Sequence, residues 1–204
     1  LWERGGSRYR AEELSQDTAR GHAVSDTVFV ECLANYRKEE KEERRSIGET
    51  EFVVEESVRS KELKGGNISG IIAFIDLSLG EKVNNLLDAH QEISGNMLKG
   101  IRHATAWISD PKIPVSHSKP AEGLMGEKAF IDGVRYLGNR NLSFDAWMYF
   151  DQLHELHNLA KKVPNTPIVI IHLGAPLKLG RLQKKQTEMH AIWKSELRKL
   201  AKVE

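Results

Sequence analysis

Short apolar runs of about five residues alternate along this chain with longer amphipathic stretches, a pattern that constrains the fold to repeated strand-helix units around a parallel sheet. The runs cover residues 27–30, 71–75, 98–101, 142–144 and 168–171. Each stops on one or two ionisable residues: Glu31, Asp76, the pair Arg102 and His103, Asp145, and His172. In a parallel β/α architecture the C-terminal strand ends open on one face, so these endings are expected to gather acids, bases and a cation around one mouth.

The stretches between the runs carry helical periodicity. Leu86, Leu87, Ala89 and Ile93 share one face, as do Phe130, Val134, Tyr136 and Leu137 ahead of Gly138, which is expected to make a left-handed helix stop. Leu153, Leu156, Leu159 and Ala160 mark a helix closed by Pro164, and Met189, Ile192, Trp193, Leu197 and Leu200 mark a last one with Lys-rich outer positions. The charged stretch 38–45 reads as a solvated loop or helix face. Links into strands are short and built from turn residues, such as Gly65-Gly66-Asn67 and Gly95-Asn96, whereas links 35–47 and 104–124 leave strands and are long. Long loops after strand ends are expected where they build a binding site, so loops and ionisable endings predict the same face.

Composition removes other classes. With 30 Lys and Arg against 29 Asp and Glu the net charge is +1, and no basic stripe with interleaved aromatics favours nucleic acid. The expected partner is a small-molecule substrate; the oligomeric state is not encoded legibly. No apolar run approaches the ~18 residues of a membrane span, and the opening residues lack the order of a signal peptide, so the expected location is the cytoplasm. The single cysteine, Cys32, is placed in a strand as a small buried hydrophobe and excludes an internal disulfide. Neither a phosphate-binding glycine loop nor a Gly-x-Ser-x-Gly elbow is present.

At the strand ends, Arg102 can hold a carboxylate bidentately and His103 can exchange a proton with a reacting oxygen, but neighbours on a strand face opposite ways, so only one can aim along a given wall. Asp145 is an acid at the rim with Trp147 as an apolar wall. His172 ends so apolar a strand that a partner, metal or pocket is expected for it. Glu31 and Asp76 can tie down loops or pair with Arg102. His154-Glu155-Leu156-His157 has its histidines three apart rather than the four of zincins, and reads as exposed helix. His22, His90, His117 and His190 have no sequence-evident partner.

Five segments taken in order resemble the amidohydrolase superfamily, in its amidohydrolase-2 branch of L-fuconolactonase-like and 2-pyrone-4,6-dicarboxylate lactonase-like enzymes. They are Thr27-Val28-Phe29-Val30-Glu31-Cys32, Gly48-Glu49-Thr50-Glu51-Phe52, Leu98-Lys99-Gly100-Ile101-Arg102-His103, Leu142-Ser143-Phe144-Asp145-Ala146-Trp147, and Ile168 through Pro176 with His172-Leu173-Gly174 at its centre. The resemblance implies a partial (β/α)8 TIM barrel, roughly strands two to six of eight, as one incomplete domain over 1–204. The family's first strand, with a His-x-His pair, is expected ahead of Leu1, and its acidic last strand beyond Glu204.

By the same resemblance the intact enzyme hydrolyses a lactone or similar cyclic ester with activated water, with or without one divalent metal such as zinc. His172 is the implied catalytic and metal-binding histidine, although relatives often carry Asp or Asn where this chain has Ile171. His103 and Asp145 join it as catalytic candidates. Arg102, Glu31, Asp76, Trp107 and Trp147 are the substrate-binding candidates. With one candidate ligand, tight metal binding by these residues alone is not expected, and neither is activity. The competing expectations are an aromatic-acid decarboxylase on the same barrel and a non-catalytic α/β binding domain.

Overall fold

A computed structural model describes the chain except residues 5–6, 111–112, 114–115, 117, 177–185 and 204, which leaves His117 outside the described residues. A hairpin of β1 (Trp2–Arg4) and β2 (Ser7–Tyr9) opens it, followed by α1 (Ala11–Thr18). The alternation then proceeds as β3 (Asp26–Val30), α2 (Ile47–Lys61), β4 (Asn67–Ala73), α3 (Lys82–Ser94), β5 (Leu98–Ala104), α4 (Lys128–Gly138), β6 (Ser143–Trp147), α5 (Leu153–Lys162), β7 (Ile168–Ile170) and α6 (Gln186–Leu200). Strands β3 to β7 follow one another in chain order in a five-stranded sheet, and the registers of β3 with β4, β4 with β5 and β6 with β7 are parallel. Five strands in chain order joined through helices make a parallel β/α sheet consistent with part of a barrel.

The chain separates into two compact units, one of residues 1–75 and 84–101, the other of residues 76–83 and 102–204. In the first, Phe29 pairs with Ile71 and Ala73 with Ile101, all buried, while Val30, Ile72 and Gly100 share the other sheet face. Helix α2 buries polar residues as well as apolar ones. Glu49 accepts the backbone N–H of Cys32 at 3.0 Å and of Ala34 at 2.6 Å, and Glu56 accepts that of Ala11 at 2.8 Å. Those carboxylates satisfy backbone donors that the irregular chain after β3 and the start of α1 would otherwise leave unpaired. Cys32 lies just past β3 rather than inside it, because the chain turns away through the left-handed residues Leu33 and Asn35.

In the second unit Phe130, Val134 and Leu137 of α4, Phe144 and Ala146 of β6, and Leu153 and Leu156 of α5 are fully buried, Phe130 edge-on to Phe144, the larger side chains contributing roughly 1.5–3 kcal/mol each. Two glycines permit this packing by having no side chain. A Cβ on Gly133 would stand 2.2 Å from the Leu77 carbonyl oxygen, and one on Gly138 would stand 2.8 Å from that of Asn165. Gly138 is therefore needed for close approach; the left-handed residue of that turn is Asn141, at φ 56°, not Gly138.

Candidate functional site

The end of β5 divides its two ionisable residues between opposite faces. His103 turns toward α4, where its ring meets Phe130 at 5.4 Å between centroids, and Phe130 in turn meets Phe144 of β6 edge-on at 5.8 Å. His103 is buried, and its Nδ1 accepts the backbone N–H of Leu77 at 3.1 Å, which leaves the ring proton on Nε2. Asp76 Oδ1 lies 3.7 Å from the same Nδ1. Strand β4 stops at Ala73, short of the expected run, and Asp76 caps the 3₁₀ turn Leu77–Leu79 by accepting from the Ser78 backbone N–H at 2.9 Å and hydroxyl at 2.5 Å. Asp76 and His103 thus fix one turn together.

Arg102 takes the face opposite His103, which strand alternation also assigns to Ser143, Asp145 and Trp147, since Phe144 between them faces α4. Asp145 is buried, and its Oδ1 accepts the Ser143 hydroxyl at 3.0 Å. Burial pushes its carboxyl above the usual carboxylate range, while the Ser143 hydroxyl and the Arg102 charge pull the other way. In register, Asp145 lies beside Val169, which is 46% exposed on the same face.

His172 reaches this group by an irregular route. Its exposed ring stands edge-on to Trp147, with centroids 6.0 Å apart at 73°. The backbone there is a left-handed turn: φ is 50° at His172, 57° at Leu173, 70° at Gly174 and 41° at Ala175. Each of the three non-glycine residues pays about 1–2 kcal/mol for that conformation. The Trp193 indole N–H of α6 donates to the Leu173 carbonyl at 2.7 Å and holds the turn.

Gln152 is an organiser that sequence reasoning misses. Its Oε1 accepts the backbone N–H of Trp107 at 2.9 Å and of Tyr149 at 3.3 Å, and its amide donates to the Thr105 carbonyl at 3.0 Å. It ties the chain leaving β5 to the chain leaving β6, and so places the half-buried Trp107. The one signal in the sequence is the polar pair Asp151-Gln152 between Phe150 and Leu153 just after a strand end. Ala106, Ile108, Ile113 and Tyr149 form the buried apolar cluster behind it.

The remaining candidates lie elsewhere. Glu31 belongs to the first unit, fully buried at the end of β3, with its backbone N–H on the Ile72 carbonyl at 2.9 Å. His90, in the same unit, has two hydroxyl partners: Thr50 Oγ1 at 2.8 Å from Nδ1 and Ser46 Oγ at 3.4 Å from Nε2. His154 is exposed on α5, and His22 and His190 are exposed too. Among the described residues no group of three or more potential metal ligands comes together, so they do not make a catalytic zinc site by themselves.

Solved amidohydrolases share this architecture. An amidohydrolase from Burkholderia multivorans, solved with bound HEPES, is 19% identical with a TM-score of 0.66, over 96% of this chain and 56% of that one. The same enzyme solved with bound zinc is 18% identical with a TM-score of 0.66, over 97% and 57%. Amidohydrolase 2 from Bifidobacterium longum subsp. infantis is 18% identical with a TM-score of 0.53, over 97% and 59%. An uncharacterized protein of Sinorhizobium fredii is 27% identical over 119 residues, which are 54% of this chain and 35% of that protein. No family model matches. The chain spans just over half the length of the solved structures, and its match to the curated relative covers about a third of that protein. At these identities the likeness is one of fold, and the fold shared is that of amidohydrolases.

Proposed function

We propose that these residues form part of an amidohydrolase-type hydrolase, a (β/α)8 barrel domain of the lactonase-like branch, that opens a lactone or similar cyclic ester with water. The observation that carries the reading is the sheet face of the second unit, where Arg102 near the end of β5 shares a face with Ser143, Asp145 and Trp147 along β6, and His172 is turned toward Trp147 at the end of β6. A face that leads along β6 to Trp147 and His172 at the C-terminal ends of parallel strands, in a fold shared with amidohydrolases, supports an active site.

In this reading water gives a proton to a general base of the intact enzyme as its oxygen attacks the carbonyl carbon. The carbon–oxygen bond of the ring breaks, and the departing alkoxide takes a proton from Asp145 to leave a hydroxy acid, the base then returning its proton to Asp145 through solvent. Arg102 holds the carbonyl oxygen or a substrate carboxylate through its paired N–H groups. Asp145, whose carboxyl keeps its proton to higher pH than usual, supplies the proton to the alkoxide. His172 polarises the carbonyl, and Trp147 and Trp107 wall the apolar side. A divalent metal in the intact enzyme would add Lewis-acid activation of the carbonyl, with His172 as a ligand; the described residues do not complete that ligand set. The 204 residues alone are expected to be inactive. The cytoplasm is the proposed location; no helix of the described residues is long and apolar enough to cross a membrane.

The test is a pH-stat assay of the protein expressed from its natural reading frame, on sugar-acid lactones and on a pyrone dicarboxylate. Acid release is expected, falling at least ~100-fold in Arg102→Met and His172→Asn. Carbon dioxide released from aromatic acids, with lactones left intact, assigns the decarboxylase reaction instead. Binding with neither reaction leaves a non-catalytic domain.

A further inference from the structure

Strand β7 ends at Ile170, whose register partner is Ala146. Continued as extended chain, Ile171 would oppose Trp147 and His172 would oppose Met148. Alternation would then turn the His172 imidazole to the α4 side of the sheet, away from Asp145. The chain takes another course, and the left-handed turn at His172, Leu173, Gly174 and Ala175 presents the ring beside Trp147. L-residues rarely hold that backbone, and three non-glycine residues within one turn hold it only when their surroundings over-determine it.

Those surroundings are specific. The Trp193 indole donates to the Leu173 carbonyl at 2.7 Å, and the Ala175 N–H donates to the His172 carbonyl at 2.9 Å. Gly174 is buried against Leu153 and the indole: a Cβ there would lie 3.1 Å from Leu153 Cδ2 and 3.6 Å from Trp193 Nε1. The Leu173 side chain is 72% exposed and contributes little packing to the turn. The indole bond from α6, together with the Ala175–His172 bond and the seat of Gly174 against Leu153 and the indole, therefore opposes the intrinsic preference of the backbone to extend.

We propose that residues 172–175 and Trp193 form a latch that decides which face of the sheet receives the His172 imidazole. Latched, the ring lies on the Asp145 and Trp147 face; released, the segment extends β7 and carries the ring to the opposite face. Displacement of Trp193 by movement of α6 would then switch the site. The inference rests on the proposed function only in taking His172 as a site residue, and its readouts are conformational.

The test is NMR on the 204-residue chain. In Trp193→Phe, which keeps an aromatic ring and removes the donor, amide exchange at Ala175 is expected to accelerate at least about tenfold, with loss of the Trp147 ring-current shift on His172. Leu173→Gly, which removes the Cβ penalty from an exposed position, is expected to slow that exchange and raise the thermal midpoint. Added to Trp193→Phe, it is expected to restore protection. Unchanged exchange and His172 signals in Trp193→Phe overturn the latch. Faster exchange or a lower midpoint in Leu173→Gly overturns it equally, even if Trp193→Phe fails to fold. These signals behaving as expected, with no lactone turnover by the protein expressed from its natural reading frame, would sink the hydrolase reading and leave the latch.

Discussion

His90 is a fully buried imidazole bonded to Thr50 and Ser46, and burial, reinforced by the charges of Arg37 and Arg44, lowers its pKa from 6.5 to about 4. The unfolded chain therefore takes up this proton first as pH falls. The contribution is fully present above about pH 6.5, is lost as pH drops toward 4, and changes no further below that. The loss is roughly 3 kcal/mol across the window, and urea midpoints measured from pH 7 to pH 4 should show it. His90→Gln is expected to flatten that dependence. Asp145 has the opposite sign: its raised carboxyl destabilises the fold once pH exceeds the unfolded carboxylate range. Asp145→Asn is expected to raise the thermal midpoint at pH 7, with the gain vanishing in acid. Stability and the proposed proton donor are thus in competition at one residue.

Helix α4 rests on the turn after β4 through Gly133, where a methyl group would overlap the Leu77 carbonyl oxygen at 2.2 Å. Alanine in mid-helix gains about 1 kcal/mol of propensity over glycine, but backbone overlap of this size costs roughly 1–3 kcal/mol, and neither atom sits on a flexible side chain. Gly133→Ala is therefore expected to lower the thermal midpoint, whereas Gly126→Ala, with nothing within 4 Å, leaves it within experimental scatter. Gln152 works between elements. Gln152→Leu keeps the volume but orphans the N–H of Trp107, that of Tyr149 and the carbonyl of Thr105, at an expected cost of roughly 2–4 kcal/mol in denaturant titrations. Helix α2 has no clear period in the sequence because its buried face includes Glu49, Thr50, Glu56, Ser57 and Ser60. Polar residues that serve distant backbone groups look like surface residues until their partners are known.

At the scale of the whole molecule, β3 and β7 stand at the two ends of the sheet order, and each carries an exposed valine, Val28 at 55% and Val169 at 46%. End strands with exposed apolar side chains invite edge-to-edge pairing. Light scattering is expected to show concentration-dependent association of the 204-residue chain, reduced in Val28→Lys with Val169→Lys without a lower thermal midpoint. The alternation of apolar runs and amphipathic stretches did determine these strands and the helices α3 to α6, since an apolar period of 2 or 3.6 is a property of adjacent residues. The ionisable residues expected to end those runs do not all end strands: Asp145 lies mid-strand in β6 and Asp76 three residues past β4, because the pairing partners rather than the apolar run set where a strand stops. Tertiary structure alone decided which way each points: His103 is claimed by the Leu77 amide 26 residues away, His90 by Thr50 at a separation of 40, and the turn that delivers His172 by Trp193, 20 residues beyond Leu173. A local period fixes that a side chain lies on one face or the other, but the choice of face, and the handedness of a turn, belong to the partner that the distant chain brings.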